Sequence, residues 1–124
     1  MEYGSKIWFF PDGDMPPEGE DNLKGHESVI ILNPNERDAT VRITLYFEDK
    51  PPVEGISTVV SSKRVRCLRT GRPEDFGGVI IQKCTQYALK LESDTPVIAQ
   101  YGRLDARQVN LAYYTTMGYT NSRF

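Results

Sequence analysis

Histidine, cysteine and tryptophan are scarce in this 124-residue chain, with one, two and one copies respectively. Each scarcity closes off a class of chemistry. Cys67 and Cys84 are too far apart for a compact paired-cysteine motif and read as two buried thiols. His26 has no second histidine to share a zinc ion with, so no metal or cofactor is expected, and it reads as a structural or capping residue. A glycine-rich phosphate loop followed by Lys and Ser/Thr is missing, and "GRPEDFGG" lacks both the spacing and the following helix. No Gly-X-Ser-X-Gly elbow occurs either. No apolar run approaches the roughly 18 residues of a membrane span. The opening "MEYGSKIWFFPDGD" lacks the basic region, long apolar core and cleavage site of a secretory signal, so a cytoplasmic protein without membrane insertion is expected.

What is present suits one modest globular domain over 1–124: 39% hydrophobic and 26% charged residues. The net charge of -2 argues against a general nucleic-acid binder. The charges are unevenly spread. Asp12, Asp14, Glu18, Glu20, Asp21 and Glu27 crowd the segment 12–27, whereas "SSKRVRCLRTGR" carries Lys63, Arg64, Arg66, Arg69 and Arg72 with no acid. Such a basic stripe can bind a phosphate backbone, but it equally serves an anionic partner protein, an assembly contact or simply a solvated face.

The pattern along the chain is that of strands. "SVIILN" reads as a strand and "NPNERD" as a turn, in which Pro34 presets φ and the Asn and Asp side chains satisfy turn amides. Val41, Ile43, Leu45 and Phe47 then alternate with Thr40, Arg42, Thr44 and Tyr46, a period of two with one packed face. The prolines of "EDKPPVEG" break the ladder. "ISTVVSS" and "KRVRCLR" supply a strand or a pair, with Arg64 and Arg66 on one face and Val65 and Cys67 on the other. "TGRPEDFGG" is a loop, "VIIQK" a short strand, and "QYALKLES" a strand with Tyr87, Leu89 and Leu91 on one side. "SDTP" is expected to turn the chain into "VIAQYGRLD". The aromatic and threonine content of "QVNLAYYTTMGY" favours a final strand over a helix. Seven or eight short, mostly antiparallel strands without crossover helices point to an all-β fold, a small β-sandwich.

Chemistry concentrates in "QYGRLDARQ", where Arg103, Asp105 and Arg107 recur at steps of two behind an apolar strand. Arg103 and Asp105 suit a charge-assisted pair, with Gln100 and Arg107 adding hydrogen bonds. This is a polar clamp or a recognition site for an anion or sugar-like molecule. It is not a catalytic set, because the carboxylates Asp49, Asp75 and Asp105 are scattered and His26 and Glu27 point to opposite faces of a strand. Trp8, Tyr46, Tyr101 and Tyr113 are candidate aromatic surfaces for a ligand.

Taken in order, His26-Glu27, the Asn33–Asn35 turn, the segment from Tyr46 to Val53 ("YFEDKPPV") and the run Arg103 to Gln108 ("RLDARQ") form a recognisable series. "HESVIILNPNERDATVRITLYFEDKPPV" and "QYGRLDARQVNLAYYTTMGYTN" closely resemble the cyanobacterial sensory rhodopsin transducer family, over roughly residues 5–121. The resemblance implies a soluble cytoplasmic β-sandwich that assembles as a homotetramer. Its namesake is a soluble partner of a seven-helix retinal photoreceptor. The architecture is similar to that of carbohydrate-binding sandwiches, and DNA interaction has been suggested for the group. No catalytic residue is transferable. The expectation is a non-enzymatic binding or signal-relay module acting as a homo-oligomer, with a protein partner such as a receptor. The alternative is a domain that binds a small polar, carbohydrate-like or anionic molecule. Candidate ligand or interface residues are His26, Glu27, Arg64, Arg66, Gln100, Tyr101, Arg103, Asp105 and Arg107.

Overall fold

A computed structural model of the chain describes residues 1–17, 24–106 and 111–120. Eight strands follow one another: β1 (Ser5–Asp14), β2 (His26–Asn33), β3 (Ala39–Phe47), β4 (Val53–Val60), β5 (Arg64–Arg69), β6 (Gln86–Asp105), β7 (Ala112–Met117) and β8 (Tyr119–Thr120). One short 3-10 turn, Pro73–Asp75, precedes β6. Their pairings are antiparallel. The fold is the expected all-β sandwich, open at its edges.

Both layers hang on β6, which is 20 residues long. Its first half lies between β3 and β1 in a first sheet of order β4-β3-β6-β1-β8. Its second half lies between β2 and β7, with β5 beyond β2, in a second sheet. Odd-numbered residues from Tyr87 to Tyr101 point inward along the whole length, as alternation on a strand requires. Leu89, Leu91, Val97 and Ala99 thereby meet Val41, Ile43 and Leu45 of β3, Val29 and Ile31 of β2, and Trp8 and Phe10 of β1 in one core.

The expected turn at "SDTP" is not a turn, because β6 runs straight through it. Registers with β3 end at Ser93, and those with β2 begin at Ile98. Pro96, which has no N–H to donate, thus sits in the gap between two ladders. Side chains bridge the gap: the Thr40 amide donates to Asp94 Oδ1 (2.8 Å), Thr95 Oγ1 to the Asp38 carbonyl (2.9 Å) and Asn35 Nδ2 to the Pro96 carbonyl (2.8 Å). The expected strand at "VIIQK" is likewise absent. Gly77 and Gly78 take positive φ, and the segment is held by turn hydrogen bonds from Gly78 to Pro73 and from Val79 to Phe76, while Phe76 and Ile81 are buried. A run of that length packs equally well as a plug, and its periodicity does not distinguish the two. The thiols also differ from expectation, since both cysteines are exposed. Cys67 lies on the outward face of the edge strand β5, and Cys84 occupies a left-handed turn with φ 59°.

Candidate functional site: a buried carboxylate at the mouth of the sandwich

Glu27 and Arg103 are directly opposite each other on β2 and β6. Both continue the inward face of their strands where the apolar core gives out. Glu27 is 0% exposed, and a carboxylate so placed is tolerable only if its oxygens are fully used. They are. Arg103 Nε donates to Oε2 at 2.8 Å, the Asp14 amide to the same oxygen at 3.0 Å, and the Tyr87 hydroxyl to Oε1 at 2.5 Å. Tyr87 belongs to the first-sheet half of β6 and Asp14 to β1, so this one side chain ties both layers together. Gly13 makes room for the arrangement: it stands opposite Tyr87, and a Cβ there would come within 2.6 Å of the phenol ring.

Arg103 completes the cluster. Its side chain is 16% exposed. Beyond Glu27 it reaches the Asp12 carbonyl (3.2 Å) and the Tyr101 hydroxyl (3.2 Å), and its guanidinium lies 5.1 Å from the centre of the Tyr114 ring. Burial works against its charge, but the Glu27 hydrogen bond and carboxylate outweigh this and hold the guanidinium's pKa above its ordinary value. Burial first, then the Glu27 charge and hydrogen bond, push the Tyr87 phenol well above its usual range. Tyr114 is raised as well, chiefly by burial. The network therefore pairs a permanent cation with a carboxylate and two neutral phenols. That set can hold a polar group but offers no nucleophile poised beside a base.

Two hollows lie beside the cluster, and Arg103 lines the first of them. One, of about 250 Å³, is lined by Asp14, Met15, Pro16, Pro17, Cys84, Arg103 and Asp105. The other, of about 330 Å³, is more aromatic and includes Phe10, Asp12, Tyr101, Tyr114 and Tyr119. Arg103 and Asp105 thus share one hollow as their spacing on β6 suggests, while the carboxylate at 2.8 Å from Arg103 is Glu27. Gln100 faces the other side of the sheet, opposite Ile30 and Met117. His26 is also on that outer side, with Nδ1 2.9 Å from the Lys24 carbonyl. Arg64 and Arg66 stand well along β5, opposite Asn33 and Ile31, and are exposed and apart from the Glu27 cluster. Arg107 lies outside the described residues. Of the aromatic candidates, Trp8 is a core residue whose indole N–H donates to the Ser5 and Val97 carbonyls, so it offers no ligand surface. Tyr101 is buried beneath Arg103, Tyr46 is half-buried, and Tyr113 is exposed on the outer face.

Sequence reasoning passed over Tyr87, Asp14 and Tyr114 as members of the site. The alternation in "QYALKLES" does place Tyr87 among inward residues, and an inward tyrosine at the end of a strand needs a partner for its hydroxyl. Among the described residues, no group of three or more His, Cys, Asp or Glu is arranged to hold a metal ion. Nor is any helix there long and apolar enough to cross a membrane.

The fold has counterparts among solved structures. The crystal structure of Thermotoga maritima 1070 is 36% identical, covers 95% of this chain and 96% of its own, and superposes with a TM-score of 0.84. The Anabaena sensory rhodopsin transducer is 31% identical over 82% of this chain and 96% of its own, with a TM-score of 0.71. No curated protein matches the chain. The family model described as Anabaena sensory rhodopsin transducer matches residues 3–120. By that match and by these relatives, the chain belongs to the Anabaena sensory rhodopsin transducer family.

Proposed function

We propose that the chain is a relay module that acts as a homo-oligomer, of tetrameric size, in the cytoplasm, passing a binding event on to a protein partner such as a receptor. Family membership makes this a non-enzymatic signalling or binding domain of the transducer type. In this reading residues 1–124 act as one functional unit. The observation that carries the relay reading is the Glu27 cluster. It joins both sheets through one buried carboxylate, and its cation lines a hollow of about 250 Å³ open to an incoming group. Light scattering on the purified protein tests the assembly. A mass of four chains is expected, and a clean monomer at micromolar concentration overturns that part.

A second reading, recognition of a small carbohydrate-like or anionic molecule, is favoured by one specific feature. Arg103 and Asp105 face the same hollow, giving a cation and an acceptor for a polar ligand, with aromatic rings on the far side of the guanidinium. Calorimetric titration with glucose, glucuronate and inorganic phosphate tests it. Saturable heat that disappears in Arg103→Met supports the reading, and heat that persists in that variant removes Arg103 from it. A contact with nucleic acid through Arg64 and Arg66 would show as affinity falling steeply with salt. The net charge of -2 disfavours that contact.

A further inference from the structure

The two layers gape on one side of the molecule. Among the described residues, β8 covers the outer edge of β1 only at Trp8 and Phe9. Across the gap, β7 is the edge of the second sheet. Its Tyr114 and Thr116 stand opposite Arg103 and Tyr101, so they share the inward face. Both are nevertheless exposed, Tyr114 to 43%, as inward residues are where the facing layer stops short. The chain itself closes the back of the gap. It crosses from β7 to β8 through Gly118, where a Cβ would come within 2.7 Å of the Phe10 ring. What remains is the aromatic hollow of about 330 Å³. Phe10, Tyr101 and Tyr114 line it in sequence with ring centres 6.4 Å apart, and Tyr119, 66% exposed, stands at its rim. The electrostatics of this hollow are one-sided. Asp12 is the one charged residue among its described lining residues. The Asp12 carboxylate accepts a hydrogen bond from the neutral Gln86 amide at 3.1 Å and is in no ion pair with a described residue. Arg103 does not line the hollow, and its charge is engaged by Glu27 at 2.8 Å. The charges that act on the Tyr114 hydroxyl are this one guanidinium against the carboxylates of Asp12, Glu27 and Asp14.

We propose that this hollow binds the quaternary ammonium group of a small free solute of the choline class, with the rings of Phe10, Tyr101, Tyr114 and Tyr119 around the cation and Asp12 as its counter-charge. Aromatic rings attract a cation through their quadrupole, most strongly where water is excluded. A neutral sugar would make no use of the Asp12 charge, and an anion would be repelled by it. A primary ammonium is a compact, strongly hydrated charge that surrenders its water reluctantly to a lining of rings. A methylated ammonium needs no hydrogen bonds, and its methyl groups pack on the rings while the charge stays close to them. Phosphocholine, betaine and lipid headgroups carry an anion beside the cation, which Asp12 opposes. The volume lies at the lower end of the roughly 300–1,000 Å³ of small-molecule sites, suited to a solute of few atoms. This site is separate from the hollow that Arg103 and Asp105 share, and it selects the opposite charge.

The test uses the full chain and follows the N-methyl proton resonances of choline and tetramethylammonium as protein is added. Both should move upfield and saturate, because the methyl groups come to lie against aromatic rings. Neohexanol, the isostere of choline in which carbon replaces the charged nitrogen, should bind about tenfold more weakly or less. That comparison needs no variant, so it stands whatever a substitution does to folding. Tyr119→Ala, at an exposed position, and Asp12→Asn should each weaken choline about fivefold. Phosphatidylcholine vesicles should not sediment the protein. Choline that fails to saturate, or neohexanol that binds as tightly as choline, overturns the proposal. Choline affinity unchanged in both variants places the cation elsewhere and overturns the site. Sedimentation with the vesicles overturns the assignment to a free solute. None of these outcomes bears on the relay reading, whose test is the assembly.

Discussion

Glu27 is the residue on which the site depends, and its two charged-pair variants should not behave alike. Replacing Arg103 with Met leaves a fully buried carboxylate with only a phenol and one amide to compensate it, and such an orphaned charge costs about 3 kcal/mol or more. Glu27→Gln instead leaves Arg103, which reaches solvent, and keeps a carbonyl oxygen for Arg103 and the Asp14 amide while its NH2 can donate to the Tyr87 hydroxyl, so about 1–2 kcal/mol is expected. Urea unfolding at pH 7 should therefore rank Arg103→Met below Glu27→Gln; the reverse order would mean that the cation bears the larger desolvation burden. Tyr87 adds a pH signature. Its phenol ionises at about 10 in the unfolded chain and higher in the folded one, because of burial and the adjacent Glu27. Its contribution to stability is thus fully present below pH 10 and is lost as pH climbs from there towards the folded value. Urea midpoints between pH 8 and 11 should be flat and then fall for the wild type. In Tyr87→Phe the protein should be less stable at pH 8 and its midpoint should fall less above pH 10.

Among the elements, those that follow simple alternation were legible in the sequence, and those held by side chains were not. β2 and β3 with the "NPNERD" turn between them came directly from period and turn chemistry. β6 did not, because Asp94 and Pro96 carry the signals of a turn while the structure uses them in an unpaired stretch of an unbroken strand. What rescues that stretch is distant in sequence: Asn35, Asp38 and Thr40, all in or beside the turn before β3. The same limit applied to the site. Arg103 and Glu27 are both legible as candidates, but they lie 76 positions apart, and the spacing in "RLDARQ" suggests Asp105 as the partner of Arg103 instead. Asn35 measures how much the bridging matters. Its amide donates to the Tyr3 and Pro96 carbonyls and accepts from the Tyr3 amide, pinning the start of β1 and the gap in β6 to one turn. Asn35→Ala should cost about 2 kcal/mol in chemical denaturation, with little change in the aromatic environment of the Glu27 cluster. Gly13→Ala should cost about 1–3 kcal/mol by overpacking and, unlike the Asn35 variant, should disturb that cluster, because the new methyl group meets the Tyr87 ring.

At the scale of the whole molecule, one strand serves both layers, and that has a consequence for cooperativity. In a sandwich whose sheets share no strand, each layer can loosen while the other persists. Here β6 contributes a central strand to both, paired with β3 and β1 in its first half and with β2 and β7 in its second. Losing either half exposes inward residues of the same continuous strand, and the Glu27 cluster adds a polar bond between layers at the far end. The periphery is different. Every residue of β7 is exposed, and β8 is a two-residue strand paired, among the described residues, with β1 alone. Native-state hydrogen exchange should therefore separate the chain into two tiers. Amides of β6 from Leu89 to Leu91 and from Ile98 to Tyr101 should exchange together at the rate set by global unfolding, with the same sensitivity to urea in both halves. Amides of β7 and β8 should exchange faster, through openings that urea barely affects. If the two halves of β6 showed distinct opening free energies, the layers would be unfolding separately. A signal bound near Arg103 would then have no rigid path to the opposite sheet, and a relay built on the shared strand would be ruled out.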